Sequence, residues 1–219
     1  MKDVFIVLPG YNEEKHVVSV INSVKKEGFQ NIIFVDDGSV DSTFKLASGT
    51  SATVLRHKVN LGKGAAAKTG CDFALKSGAN IIILMDSDGQ HEAKDLKRFV
   101  KAIKNKDVVF SYRRFDKNMP FVMRLGNVFL SKFSEFLFGI SIKDTQAGFR
   151  AFTSDAYKKI RWFSSNYGME SEMIARAAKH NLSYDEIQIK TIYLDAHKGT
   201  TPLDGPKVLF NMLRFKLFG

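Results

Sequence analysis

Ile81-Ile82-Ile83-Leu84-Met85-Asp86-Ser87-Asp88-Gly89-Gln90 runs five apolar residues straight into a cluster with two carboxylates. An aliphatic run without polar alternation suits a strand covered on both faces, as in a parallel sheet. Open sheets of that kind collect their ligand-binding groups at the carboxyl ends of the strands. Asp86 and Asp88 therefore fall where an α/β fold carries its chemistry.

The same pattern repeats outward from this stretch. Val4–Leu8 leads into Pro9-Gly10-Tyr11-Asn12-Glu13-Glu14, and Ile32–Asp36 into Asp37-Gly38-Ser39-Val40-Asp41-Ser42-Thr43. Thr53–Arg56 is followed by Asn60-Leu61-Gly62-Lys63-Gly64, and Val108–Tyr112 supplies a fifth strand-like run. Helical patterns fall between them at 13–27, 41–48, 63–77 and 92–105, with Gly28 and Gly78 where C-terminal caps belong. The fold expected is α/β, a mostly parallel sheet sandwiched by helices. Any one cluster has an ordinary explanation: Asp41 or Ser39 as a helix cap, Gly38 as a turn residue. Their shared place at strand ends calls for a ligand.

The second half is patterned differently. Residues 119–138 give an amphipathic helix with Phe121, Leu125, Phe129, Phe133, Phe136 and Leu137 on one side. Gly148–Thr153 and Ile187–Leu194 read as strands, 169–180 as a helix, and Lys207–Phe218 as a closing basic amphipathic helix after Pro206. No repeat, low-complexity stretch or linker interrupts the chain, so 1–219 reads as a single domain.

The 219 residues hold 33 Lys and Arg against 23 Asp and Glu, a net charge of +10. That charge is local: residues 1–96 carry 11 basic and 12 acidic side chains, while residues 97–132 carry 10 and 2. No zinc-finger spacing, basic-zipper heptad or aromatic RNA-binding signature accompanies it, which excludes the common nucleic-acid modules. Lys94, Lys97, Arg98, Lys101, Lys104 and Lys106 read as the solvated face of a helix. Arg113, Arg114, Lys117 and Arg124 fall in a loop and the next helix start, and remain candidates for an anionic ligand. The longest apolar runs are about five residues, against the roughly 20 of a spanning helix. A single cysteine, Cys71, excludes an intramolecular disulfide.

Asp86 and Asp88 suit a hard divalent cation such as Mg²⁺ or Mn²⁺, which prefers oxygen ligands and often shares them with substrate phosphates. Gln90 adds a carbonyl oxygen within reach. A competing reading takes Gly62–Thr69 as a near P-loop, but Ala67 stands where that motif needs glycine, and the other strand-end clusters go unexplained.

Pro9–Glu13, Asp36–Ser39, Asn60–Gly64, Asp86–Gln90, Ser111–Arg113 and Asp144-Thr145-Gln146-Ala147-Gly148-Phe149-Arg150 follow one another over about 140 residues. In that order they resemble the inverting family 2 nucleotide-sugar glycosyltransferases of the glycosyltransferase-A fold. Within that family they look like the dolichol-phosphate and polyprenyl-phosphate mannose or glucose synthases. The resemblance implies a nucleotide-sugar-binding half, 1–112, and an acceptor-binding half, 113–219. It implies that Pro9, Tyr11, Asn12 and Glu13 line the nucleoside pocket, with Asp37 and Gly38 near the base or ribose. Lys63 and Gly64 would close over the nucleotide, and Asp86, Asp88 and Gln90 would hold the metal. Arg113 and Arg124, with Ser131, would receive the acceptor phosphate, and Asp88, Arg113 and Arg124 would carry catalysis. Two departures stand out: His197-Lys198-Gly199-Thr200-Thr201 replaces a basic residue followed by Gly-x-Ser, leaving Lys198 as the diphosphate contact. Val128 occupies the position where a hydroxyl residue often follows the acceptor arginine.

The implied activity is transfer of a hexose, mannose from GDP-mannose first, to a polyprenyl or dolichyl phosphate with inversion. No general base is then required, because a phosphate monoester is already anionic. The enzyme would sit peripherally on the cytoplasmic face of a membrane. Two other readings are weighed against it: transfer from UDP-glucose or another UDP-sugar, or to a glycan hydroxyl with Asp144, Glu170 or Glu172 as base, and a non-catalytic nucleotide-sugar binder.

Overall fold

The structure is a computed structural model that describes residues 3–113, 121–166, 168–190 and 205–218, with side chains except at 121–124, 205 and 218. Seven strands form one sheet: β1 (Val4–Gly10), β2 (Asn31–Asp36), β3 (Thr53–Arg56), β4 (Ile81–Leu84), β5 (Val108–Arg113), β6 (Arg150–Thr153) and β7 (Tyr184–Ile189). Their spatial order is β3-β2-β1-β4-β6-β5-β7. Six run parallel; β6 is antiparallel to both β4 and β5. The helices are α1 (Val17–Lys26), α2 (Thr43–Ser48), α3 (Lys63–Lys76), α4 (Leu96–Ala102), α5 (Phe121–Phe138), α6 (Ser154–Ile160), α7 (Met169–Lys179) and α8 (Gly205–Phe218).

The unbroken apolar strands are explained by burial on both faces. Ile6, Leu8, Ile83 and Met85 pack with Val17, Ile21, Leu96 and Phe99 from α1 and α4. Val7, Ile82, Leu84 and Phe110 point the other way, toward Ala66, Ala67 and Cys71 of α3 and Met169 and Met173 of α7. The mostly parallel α/β sandwich is thus as expected. The insertion of β6 between β4 and β5 is new, because a four-residue strand such as Arg150-Ala151-Phe152-Thr153 carries no signal of its direction. The segment before it, 144–149, is consequently delivered to the carboxyl end of β4.

Boundaries also moved. Residues 13–16 form a turn, with the Val17 N–H donating to the Glu13 carbonyl, so α1 starts later than read. The strand expected at 148–153 begins at Arg150; the one expected at 187–194 starts earlier, with β7 at Tyr184–Ile189, and residues 191–194 of it lie outside the described residues. Helix α6 was missed: it is short, but Thr153 Oγ1 caps it by accepting from the Ala156 N–H, and Ala156, Tyr157 and Ile160 are buried. The basic face of 94–101 is solvated as read. Lys94 pairs with Glu92, Lys97 with Glu27, and Arg98 with Asp95.

The small residues of α3 serve packing. A Cβ at Gly70 would lie 2.4 Å from Val7 Cγ1, so α3 sits tight against β1. At its N-terminus a Cβ on Gly64 would lie 2.3 Å from the Ser164 carbonyl. The Ala65 N–H donates to Ser165 O, and Trp162 Nε1 donates to Gly64 O at 2.8 Å. Protein backbone therefore covers the start of α3, which removes the P-loop alternative. It also places Gly64 under residues 164–165.

Gly64→Ala forces backbone apart and is expected to cost about 1–3 kcal/mol, read as a lower urea midpoint. Gly49→Ala, whose Cβ meets its nearest atom at 3.5 Å, should stay within about 0.5 kcal/mol of wild type.

Candidate active site

Three loops meet at the carboxyl end of the sheet, joined by side chain to main chain bonds. Asn12, with a left-handed φ of 55°, donates from its N–H to Ser39 Oγ and accepts from the Val40 N–H at its Oδ1. The Glu13 N–H donates to Thr43 Oγ1, and the Ser42 N–H to Glu14 Oε2. Pro9 is buried at the end of β1, its carbonyl accepting from Ser87 Oγ at 2.7 Å. These loops leave Tyr11, Val40, Val59 and Leu61 exposed.

Asp37 is buried and its carboxylate is heavily used. It accepts from the Leu61 N–H at 3.0 Å and the Gly62 N–H at 2.8 Å, and meets His57 Nδ1 at 2.7 Å. His57 Nε2 in turn reaches Thr69 Oγ1 on α3. Asp37 thus holds the 60–62 loop in place from within the fold. Gly38, with φ of 75°, is required there because a Cβ would lie 2.5 Å from the Val59 backbone. His57 was missed in the sequence, where a lone histidine after a short strand carries no pattern.

Beyond β4, Lys63 Nζ lies 2.8 Å from Asp86 Oδ1 and 3.4 Å from Glu170 Oε1. His91 Nε2 lies 3.4 Å from Asp86 Oδ2. A Cβ on Gly148 would lie 2.8 Å from both Asp86 Oδ2 and Lys63 Nζ, so this glycine lets its segment press against the pair. Burial raises the Asp86 carboxyl, but the Lys63 ammonium and His91 overcome it and hold it well below the usual carboxylate range. For Lys63, burial works against the charge, and Asp86 and Glu170 more than restore it. Asp88 moves the other way: burial and the neighbouring negative charge of Asp86 push its carboxyl up.

This donor set fits a divalent cation. Two carboxylates crowd one another, and burial together with the Asp86 charge makes Asp88 resist ionisation despite Lys63 and His91 nearby. Among the described residues no three His, Cys, Asp or Glu side chains form a metal cluster, so substrate and water would complete the shell. Gln90 touches this site through its main-chain N–H, which donates to Asp88 Oδ1 at 2.9 Å.

At the end of β5, Arg113 grips Asp144 with two bonds, Nε to Oδ2 at 2.7 Å and Nη2 to Oδ1 at 3.1 Å. Arg113 also lines a cleft of about 520 Å³ with Tyr112, Val128, Ser131, Lys143 and Gln188. Ser131 Oγ donates to the Lys143 carbonyl, and Lys143 Nζ sits 4.3 Å over the Tyr112 ring. The three carboxylates weighed as bases are all engaged. Asp144 holds Arg113; Glu172 accepts from the Phe163 and Ser164 N–H groups, from Ser164 Oγ and from Arg176 Nε; Glu170 lies against Lys63. Buried Arg150, which the sequence reading quoted without a role, donates to the carbonyls of Thr145, Ala147 and Glu170, and burial lowers its pKa to about 10. The side chain of Arg124, and Lys198 altogether, lie outside the described residues.

A family model, Glycosyl transferase family 2, matches residues 5–161, which hold all of the strand-end clusters. The chain belongs to that family. It is 32% identical over 243 residues to the UDP-N-acetylglucosamine–dolichyl-phosphate N-acetylglucosaminyltransferase of Methanococcus voltae, covering 99% of this chain and 97% of that one. It is 26% identical over 229 residues to the polyprenol monophosphomannose synthase of Mycolicibacterium smegmatis, covering 98% and 86%. The fold is similar to glucosyl-3-phosphoglycerate synthase from Mycobacterium tuberculosis, solved with Mn²⁺, UDP and product, at a TM-score of 0.73 and 21% identity over 99% of this chain and 80% of that one. The glycosyltransferase-A architecture is therefore as the resemblance implied.

Asp88→Asn should separate stability from function in this glycosyltransferase. A carboxyl whose pKa is higher folded than unfolded destabilises the fold once pH exceeds both values. Removing its charge should then raise the Tm of the metal-free protein at pH 7, while transfer falls about 100-fold or more. An unchanged rate would remove Asp88 from the site.

Proposed function

We propose that this glycosyltransferase moves a sugar from a nucleoside diphosphate sugar to a polyprenyl phosphate at a membrane surface, with inversion and with a divalent cation. Residues 1–112 serve the donor and 113–219 the acceptor. The observation that carries the reading is the Arg113–Asp144 pair at the cleft, set beside base candidates that are already engaged. A hydroxyl acceptor needs a group to take its proton. A phosphate monoester needs only cations to receive it, and a guanidinium fixed by a buried carboxylate offers its planar fork in one orientation.

In the proposed step a phosphate oxygen attacks the anomeric carbon from the face opposite the nucleotide. The bond from that carbon to the diphosphate breaks, and the nucleoside diphosphate leaves with the electron pair. No proton moves. A divalent cation held by Asp86 and Asp88 would neutralise charge building on the leaving group. Asp37 and His57 keep the 60–62 loop closed beside the nucleotide, and Asp144 aims Arg113.

The named relatives divide over the sugar, one using UDP-N-acetylglucosamine and one making a mannosyl product. GDP-mannose and a UDP-sugar both remain within this reading. For the membrane, the supporting features are α5 and α8. They share a small core of Leu130, Leu137, Val208 and Met212, while Phe129 and Phe136 on α5 and Phe210 and Leu217 on α8 are exposed. Lys207, Arg214 and Lys216 accompany them on α8, a pattern suited to anionic headgroups. Among the described residues no helix is long and apolar enough to cross a membrane.

Purified enzyme with Mn²⁺, offered GDP-mannose, UDP-glucose and UDP-N-acetylglucosamine against a short polyprenyl phosphate or a free glycan, should give product with the lipid phosphate. Product only with the glycan would reject the acceptor reading. Arg113→Gln should raise the KM for lipid phosphate or lower kcat by about 100-fold, with donor binding little changed. Vesicles containing anionic lipid should carry the protein upward in flotation, and neutral vesicles should carry less; equal failure with both would remove the docking surface.

A further inference from the structure

Lys63 stands between two carboxylates supplied from distant parts of the chain. Its ammonium is 2.8 Å from Asp86 and 3.4 Å from Glu170. Asp86 is also the carboxylate that would hold a divalent cation with Asp88. Lys63 therefore already fills, with its own charge, the neighbourhood that the cation needs. Glu170 presents the complementary oddity. Its side chain is buried, and its Oε2 has no hydrogen-bond partner among the described residues. A buried carboxylate is costly unless positive groups match it; here Lys63 and the charge of Arg150 do so, while Oε2 itself accepts no hydrogen bond among the described residues. Gly148 closes the third side: any side chain there would collide with Asp86 and Lys63.

We propose that Lys63 is an exchangeable counter-cation, which neutralises Asp86 in the metal-free enzyme and passes to Glu170 when a divalent cation takes Asp86 and Asp88. The inference rests on the cation reading above. A single and a double positive charge on one carboxylate repel each other, and the pair is only partly exposed to water that would screen them. One of them has to leave, and the carboxylate that Lys63 already touches on its other side is Glu170, whose Oε2 is still without a hydrogen bond among the described residues. The displacement asked of the ammonium is small, and a flexible four-carbon stem suits it better than the rigid fork of arginine. Lys63 stays paired in both states, so it is never a bare buried charge. In the metal-free state Asp86 is neutralised by the ion pair with Lys63. The exchange also sets the cation's affinity, because the metal binds only the fraction of molecules whose lysine has moved.

Calorimetric titration with MnCl₂ alone, without sugar nucleotide or acceptor, tests this on the full chain. Lys63→Met removes the competitor and should tighten Mn²⁺ binding about tenfold or more. Glu170→Gln removes the receiving carboxylate and should weaken it about tenfold. Unchanged or weaker binding by Lys63→Met overturns the proposal. If Lys63→Met does not fold, unchanged or tighter binding by Glu170→Gln overturns it as well. An unaltered Mn²⁺ affinity together with lost transfer would make Lys63 a donor contact only and leave the proposed function standing. Absence of Mn²⁺ binding in wild type and in both variants would overturn the cation reading and this inference with it.

Discussion

The antiparallel pairing of β6 with β4 is the constraint on which the rest of the site depends. Arg150 lies opposite Leu84, so the chain enters β6 at the end where β4 finishes. A parallel β6 would begin at the far edge of the sheet, displaced by about four residues of roughly 3.3 Å each. Reversal brings Asp144 to Arg113 and Gly148 to the Lys63–Asp86 pair. It also buries Arg150 among three carbonyls that join the 145–147 loop to α7. The two halves of the chain share a site because one short strand runs backward.

The charges gathered there have to balance. Asp86, Asp88, Asp144 and Glu170 face Lys63, Arg113 and Arg150; Asp144, Glu170 and Arg150 are buried and the other four partly buried. Removing one member of such a set leaves another without a partner, at a cost of about 3–5 kcal/mol for a truly buried pair. That explains why segments around residues 63, 86, 113, 144, 150 and 170 converge. Asp88 is the member pushed up, by burial and by the charge of Asp86, with Lys63 and His91 acting against them.

The strand ends were legible in the sequence because both signals are local: an apolar run, then a polar cluster. The turn glycines Gly38, Gly28 and Gly78 were legible for the same reason, each adopting a positive φ. What escaped depends on distant partners. Gly64 was read as closing over a nucleotide, but residues 164–165, a hundred positions on, are what demand its missing side chain. Asp37 is expected near the base or ribose, and its further role as a support for the loop, through bonds to His57, Leu61 and Gly62, has no local signal. Asp144, Glu170 and Glu172 are base candidates in the sequence only for a hydroxyl acceptor, and which cation each carboxylate meets is not written in any local pattern. The direction of β6 has no local signature either.

The positive excess can now be divided by where it is already spent. Lys94, Lys97 and Arg98 have acidic partners on the solvated face of the α4 region, and Arg113 is committed to Asp144. Of the ten basic residues in 97–132, Lys97, Arg98 and Arg113 are thus matched within the fold and contribute little to long-range attraction. On the proposed reading, attraction to an anionic surface falls to the end of the chain, where Lys207 and Arg214 are exposed on α8 beside the exposed Phe210 and Leu217. That helix packs on α5, and α5 supplies Val128 and Ser131 to the acceptor cleft. A surface that holds α8 then lies next to the cleft in which a lipid-linked phosphate would have to arrive. On the proposed reading, docking and acceptor entry therefore fall to one pair of helices.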